Sequence, residues 1–152
     1  MKIFIKKAIN DDINEINNML TDLIQDERQY DDNINKNYLV KEYYEQFLEK
    51  KDSCIIVAKN ESNNIMGYGF GFIVNYGNVY NNKVAQLDAI FIKPEYRKRG
   101  IARKIIQYFT EWSKKKQVSF IELKVCNNNK DAIKLYEKEG FYTEKIILKK
   151  KI

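Results

Sequence analysis

"LDAIFIKPEYRKRGIARKII", Leu87 to Ile106, decides how this chain is read. The run belongs to an apolar strand, Lys83 to Ile92, which breaks at Pro94, the only proline in 152 residues. Three long cations, Arg97, Lys98 and Arg99, then run into Gly100, and a helical pattern opens at Ile101 and continues to Lys116. A strand, a turn and a helix start in that order make a site for an anion. The first amides of a helix have no intrahelical partner, and the helix dipole adds positive character there. Gly100 lets an anion approach the backbone with no Cβ in the way, and Ala102 keeps the next position small. Arg97, Lys98, Arg99, Arg103 and Lys104 supply the surrounding positive field. A pyrophosphate fits a turn of this size. The same residues also read as a helix start with a solvated basic face, and the turn alone leaves both readings open.

On either side, strand and helix patterns alternate. "KIFIKKA", Lys2 to Ala8, reads as a strand. Asp11 and Asp12 stand where a helix cap belongs, followed by Ile13, Ile16, Leu20, Leu23 and Ile24 at helical spacing through Asp26. The polar run "ERQYDDNINKN" predicts a loop, and Tyr38 to Lys50 predicts a second amphipathic helix. Ser53 to Lys59 and the glycine-punctuated "IMGYGFGFIVNYG" predict two strands. After the helix at Ile101, the pattern predicts a strand over Phe120 to Cys126, a helix over Asn129 to Glu139 and a final strand over Phe141 to Lys149. Long crossovers between strands imply an α/β fold, a mixed sheet flanked by helices, with residues 1–152 as one domain.

Composition narrows the chemistry. The chain has no histidine, which excludes a Ser-His-Asp triad, a Cys-His pair and any His-ligated metal. Its two cysteines, Cys54 and Cys126, lack metal or disulfide spacing, so a reducing cytoplasm and no metal are expected. No apolar run is long enough to span a bilayer, and the N-terminal residues lack a signal-peptide core. The net charge of +6 points to a polyanionic small molecule or to nucleic acid. Nucleic acid is disfavoured, because the cations gather at one turn with no stripe of interleaved aromatics.

No G-x-x-x-x-G-K-[ST] loop is present. "GYGFG", Gly67 to Gly71, lies inside a strand with the wrong spacing for a dinucleotide fingerprint, and reads as small residues where something packs close to the sheet. Leu87 to Ile106 resembles the cofactor-binding motif of the GNAT superfamily of acyl-CoA N-acyltransferases: a strand, a P-E-Y-R turn, then [RQ]-x-x-G-x-[GA] opening a helix. "NKDAIKLYEKEGF", Asn129 to Phe141, resembles that superfamily's N-x-x-A-x-x-x-Y-x-x-x-G-F segment, at the expected distance. The matched half looks most like the polyamine-type members, although acceptor choice does not follow from that stretch.

The resemblance implies a largely antiparallel mixed sheet with splayed parallel strands at a CoA site. It implies that the amides of Lys98, Arg99, Gly100, Ile101, Ala102 and Arg103 cradle the pyrophosphate of acetyl-CoA, with Arg97 beside them. The pantetheine arm would run along Ile90, Phe91 and Ile92, with the Ile90 N–H holding the thioester oxygen. Asn129 and Ala132 would touch the arm's far side, and Tyr136 would protonate the leaving sulfur. The attacking amine must lose a proton to a base. Asp88 is the one acidic residue on its strand short of the turn, and alternation puts it on one face with Gln86, Ile90 and Ile92. Members often carry Glu there, and the shorter Asp calls for a bridging water. Asp26, Glu27, Tyr30 and Gln86 are the expected acceptor contacts, by attraction of a cationic amine. The expected function is acetyl transfer from acetyl-CoA to an amine, and the alternative is a CoA-binding regulatory module without catalysis. A membrane partner is not expected, and the resemblance admits a homodimer.

Overall fold

Runs rich in β-branched and aromatic residues form the strands of a five-stranded sheet in a computed structural model that describes Met1 to Ile152. The strands are β1 (Phe4–Lys7), β2 (Ser53–Lys59), β3 (Ile65–Val74), β4 (Val84–Ile92) and β5 (Phe120–Glu122). They lie side by side in chain order. The first three junctions are antiparallel and the β4–β5 junction is parallel. The sheet carries α1 (Ile13–Asp26) on one face, and α2 (Ile101–Lys115) with α3 (Lys130–Lys138) on the other. This is the expected mixed, largely antiparallel α/β architecture.

Burial follows the pleat. β2 is buried along its whole length, sending Ile55 and Val57 into the core under α1 and Cys54, Ile56 and Ala58 into the core under α2. β3 shows why its glycines are there. A Cβ at Gly69 would stand 2.4 Å from Cγ2 of Ile105, and one at Gly71 would stand 2.3 Å from the Phe109 ring. The glycine stripe is the bed on which α2 lies, as close packing against the sheet predicts. Phe109 is fully buried and stacks on Trp112 at 5.4 Å.

Four expectations are corrected. Tyr38 to Lys50 is not a helix and holds only a short 3₁₀ turn over Tyr44–Phe47. Side chains at every fourth residue of α1 take the groups a helix would need. Asn17 Oδ1 accepts from the Tyr44 amide, Thr21 Oγ1 accepts from the Val40 amide, and Gln25 Nε2 donates to the carbonyls of Asn35 and Tyr38. Asp12 stands at the N-cap of α1, but neither its side chain nor that of Asp11 caps that helix's amides. The Asp12 carboxylate accepts the Ile9 amide and pairs with Lys59 at 2.7 Å, both side chains being buried. β5 stops at Glu122, short of Cys126, because β4 turns away from it at the site described below. Phe141 to Lys149 forms no strand: no backbone hydrogen bond involves the chain beyond Phe141, and Ile146, Ile147 and Leu148 stand exposed. A strand is defined by ladder bonds, and nothing in this chain supplies them there.

Candidate active site

β4 positions the site by an irregularity. Phe70 of β3 faces Ala89, and its neighbour Gly71 faces Leu87, so Asp88 is an extra residue with no partner across the ladder. The bulge resets the alternation. Ala85 and Leu87 pack under α2, Ala89 and Phe91 pack under α1, and Ile90 and Ile92 turn toward the α2 side. The expectation that Asp88 shares a face with Gln86, Ile90 and Ile92 therefore holds only for Gln86, which donates from Nε2 to Asp88 Oδ1 at 3.1 Å. The same bulge opens the sheet. β4 pairs with β5 only at Val84, Ala85 and Gln86, which leaves Leu87 to Ile92 without a strand on that side.

Asp88 opens into a cavity of about 280 Å³. Leu20, Leu23 and Ile24 of α1 line it, together with Tyr38 and Tyr43. Glu27 and Asp88 are its only acids. Partial burial pushes the Asp88 carboxyl up, against the downward pull of the Gln86 hydrogen bond and the Lys124 charge. Burial, with the charges of Asp31 and Asp88, pushes Glu27 up as well. Asp26 is elsewhere: it pairs with Arg97 at 2.9 Å. Tyr30 and Gln86 are not among the lining residues. Of the four expected acceptor contacts only Glu27 lines this cavity, and the sequence reading did not single out Leu20, Leu23, Ile24, Tyr38 and Tyr43. The density of tyrosines in "NYLVKEYYEQF" was the available signal, hidden by its helical pattern.

The far end of β4 leads into the turn. Lys98 and Gly100 both adopt left-handed backbone, with φ of 60° and 76°. The first backbone bond of α2 is made by the Lys104 amide, to the Gly100 carbonyl. The amides of Lys98, Arg99, Gly100, Ile101, Ala102 and Arg103 donate to no protein acceptor. A Cβ at Gly100 would meet nothing within 4 Å, so the cradle is open. The arginines have other work. Arg97 donates from Nε to the Ile92 carbonyl at 2.8 Å and holds Asp26, tying the end of β4 to the end of α1. Arg99 donates to the Glu95 carbonyl, and Arg103 pairs with Glu139 at the end of α3.

α3 is fixed by its caps. Asn129 Oδ1 accepts from the Ala132 amide at 3.3 Å, so Asn129 is the helix N-cap. At the other end Gly140 takes φ 93°, its amide donates to the Glu137 carbonyl, and the Phe141 amide donates to the Tyr136 carbonyl. That is a Schellman closure, with the Phe141 and Tyr136 rings meeting at 5.9 Å. The spacing from Asn129 through Tyr136 to Gly140 and Phe141 is thus a helix with both ends specified, and it aims Tyr136. Tyr136 is half-buried against the α2-side core with Ile90 and Ile92. Burial, then the charge of Glu27, pushes its hydroxyl above the ordinary range, so it stays protonated.

No three His, Cys, Asp or Glu side chains gather where they could hold a metal ion, and no helix is long and apolar enough to cross a membrane.

The sequence pattern of the Acetyltransferase (GNAT) family matches residues 17–141. The catalytic subunit of the N-terminal acetyltransferase B complex of Arabidopsis thaliana is 30% identical over 108 residues, which are 70% of this chain and 60% of that relative. Among solved structures, a tetramutant of the BH1408 protein from Bacillus halodurans superposes with a TM-score of 0.86 at 20% identity, covering 98% of this chain and 99% of its own. AAC(6')-Iy, bound to the bisubstrate analog CoA-S-monomethyl-acetylneamine, superposes with a TM-score of 0.74 at 19% identity, covering 100% and 99%. With the family pattern spanning the bulged strand, the amide cradle and the capped helix alike, this chain belongs to the acetyltransferase (GNAT) family.

Proposed function

We propose that this chain is an N-acetyltransferase that moves an acetyl group from acetyl-CoA to a primary amine by direct attack. One observation supports the reading above the others. The strand that carries Asp88 parts from its neighbour there, and its far end runs into six unpartnered amides, Lys98 to Arg103. A doubly negative pyrophosphate suits those amides, which stand at a helix start without protein acceptors beside an open Gly100. The unpaired length of β4, Ile90 to Ile92, suits an extended arm, with Asn129 and Ala132 on its other side. Acetyl-CoA supplies an activated thioester carbonyl and is consumed as a substrate.

The chain's own residues then handle the protons. Asp88, through a water, takes the proton that the attacking amine must lose. The Ile90 N–H holds the carbonyl oxygen as negative charge develops on it. Tyr136 donates its proton to the departing sulfur as the C–N bond forms and the C–S bond breaks. No acyl-enzyme is required. Burial holds the Cys54 thiol up at about 12, and Cys126 is also pushed up, so both are poor nucleophiles at neutral pH.

Release of thiol from acetyl-CoA on addition of amines, measured across an amine panel, tests the reading. Amine-dependent release is expected. Binding of CoA without release from any amine would favour the alternative, a CoA-binding module. The unpaired cysteines accord with a reducing cytoplasm. The exposed apolar run Ile146 to Leu148 is what supports a homodimer, and light scattering reads it.

A further inference from the structure

The cavity beside Asp88 is chemically one-sided. Its walls are three aliphatic side chains and two tyrosine rings, and its only charges are the carboxylates of Glu27 and Asp88. Asp26 pairs with Arg97 and Glu15 pairs with Lys93, whereas Asp31, whose charge acts on Glu27, forms no ion pair. Glu27 and Asp88 form no ion pair, in a chain whose net charge is +6. No lysine or arginine lines the cavity. The charge of Asp88, after that of Asp31, disfavours the ionised form of Glu27, and Lys124, the cation that favours ionised Asp88, is not among the lining residues.

We propose that this cavity selects a short diamine, two cationic amines joined by an apolar stem, and that Glu27 holds the amine that does not react. The inference rests on the reading of Asp88 as the acceptor end of an N-acetyltransferase. One amine gives its proton to Asp88 and is acetylated. The other stays charged, and Glu27 faces it. The stem lies on Leu20, Leu23 and Ile24, where hydroxyls of an amino sugar would lose their water partners without replacement. The rings of Tyr38 and Tyr43 offer π faces to the ammonium. At about 280 Å³ the cavity is at the small end for a ligand pocket, which suits a short linear molecule. A peptide N-terminus brings one charge and several backbone amides, and leaves one carboxylate without a partner.

The test compares kcat/KM for 1,4-diaminobutane, n-butylamine, an amino sugar and a short peptide, each with acetyl-CoA, in wild type, Glu27→Gln and Asp31→Asn. A charge-assisted contact implies a preference for the diamine over the monoamine of roughly 10- to 100-fold in wild type. That ratio should collapse toward one in Glu27→Gln, an exposed position where the amide keeps the shape. Asp31 does not line the cavity, and Asp31→Asn should keep the ratio. Equal or better turnover of the monoamine, the amino sugar or the peptide in wild type overturns the diamine proposal alone. So does a diamine preference that survives Glu27→Gln. No thiol release with any of the four amines overturns the transferase reading itself.

Discussion

At Asp88 the carboxyl serves as a base only while ionised. Partial burial raises its pKa, so the ionised fraction is lost at a higher pH than for an ordinary carboxylate as pH falls. The acid limb of kcat/KM should therefore lie above the usual carboxylate range. Asp88→Asn keeps the size and removes proton acceptance. With a strongly basic amine, activity at neutral pH should drop by about 10²–10⁴-fold and recover as pH rises toward the amine's own pKa. A weakly basic amine should suffer far less. Parallel pH profiles, with equal losses for both amines, would make Asp88 a positioning residue. Tyr136 presents the opposite case. Its raised pKa keeps the proton on, as an acid requires. Tyr136→Phe should lower kcat by up to about 10²–10⁴-fold while CoA affinity holds, with a smaller deficit for a donor whose leaving thiol is more acidic. Wild-type turnover in that variant would leave Tyr136 with a packing role against Phe141.

At the scale of elements, two helix ends build most of the site. α2 begins at Gly100, whose left-handed backbone and open surroundings leave the amides from Lys98 to Arg103 without protein partners. Gly100→Glu puts a side chain and a negative charge into that cradle. A non-glycine residue in left-handed backbone costs about 1–2 kcal/mol, so the variant should fold with a somewhat lower Tm. Its Tm should no longer rise when acetyl-CoA is added, whereas the wild-type Tm should rise with ligand concentration. An unchanged ligand-induced shift, read against each protein's own ligand-free Tm, would remove the pyrophosphate from this turn. α3 works differently. It is nine residues long, too short to persist alone, and it depends on Asn129 at one end and the Gly140 closure at the other.

Across the whole molecule, the sheet separates two cores. One buries Ile16, Met19, Tyr44 and Phe70 beneath α1, and the other buries Ile105, Ile106 and Phe109 beneath α2. One buried ion pair, Lys59–Asp12, joins the end of β2 to the entry of α1. Its side chains are 7% and 6% exposed, so neither charge has water to fall back on. Lys59→Met strands the Asp12 carboxylate and should cost about 3–5 kcal/mol in urea unfolding. The double variant Lys59→Met/Asp12→Leu removes both charges and should recover part of that loss. Equal stability of Lys59→Met and wild type would mean that solvent reaches Asp12 freely. The cavity at Asp88 and the amide cradle lie at opposite ends of the outer half of β4.

The sequence by itself determined the parts governed by local rules. The strands β2, β3 and β4 follow from β-branched and aromatic runs, and α2 follows from its helical period after a proline and a glycine. The amide cradle follows from the same turn, and α3 with Tyr136 follows from its two caps, since caps act within a few residues. Tertiary structure alone decided what depends on a distant partner. The bulge at Asp88 exists only in register with Phe70 and Gly71 of another strand, and alternation along β4 could not show the face it creates. The segment Tyr38 to Lys50 has a helical period, but Asn17, Thr21 and Gln25 of α1 take its backbone groups and hold Tyr38 and Tyr43 over the cavity. Phe141 to Lys149 reads as a strand, yet a strand needs a neighbour's ladder, which is a property of the assembled sheet and not of the run itself.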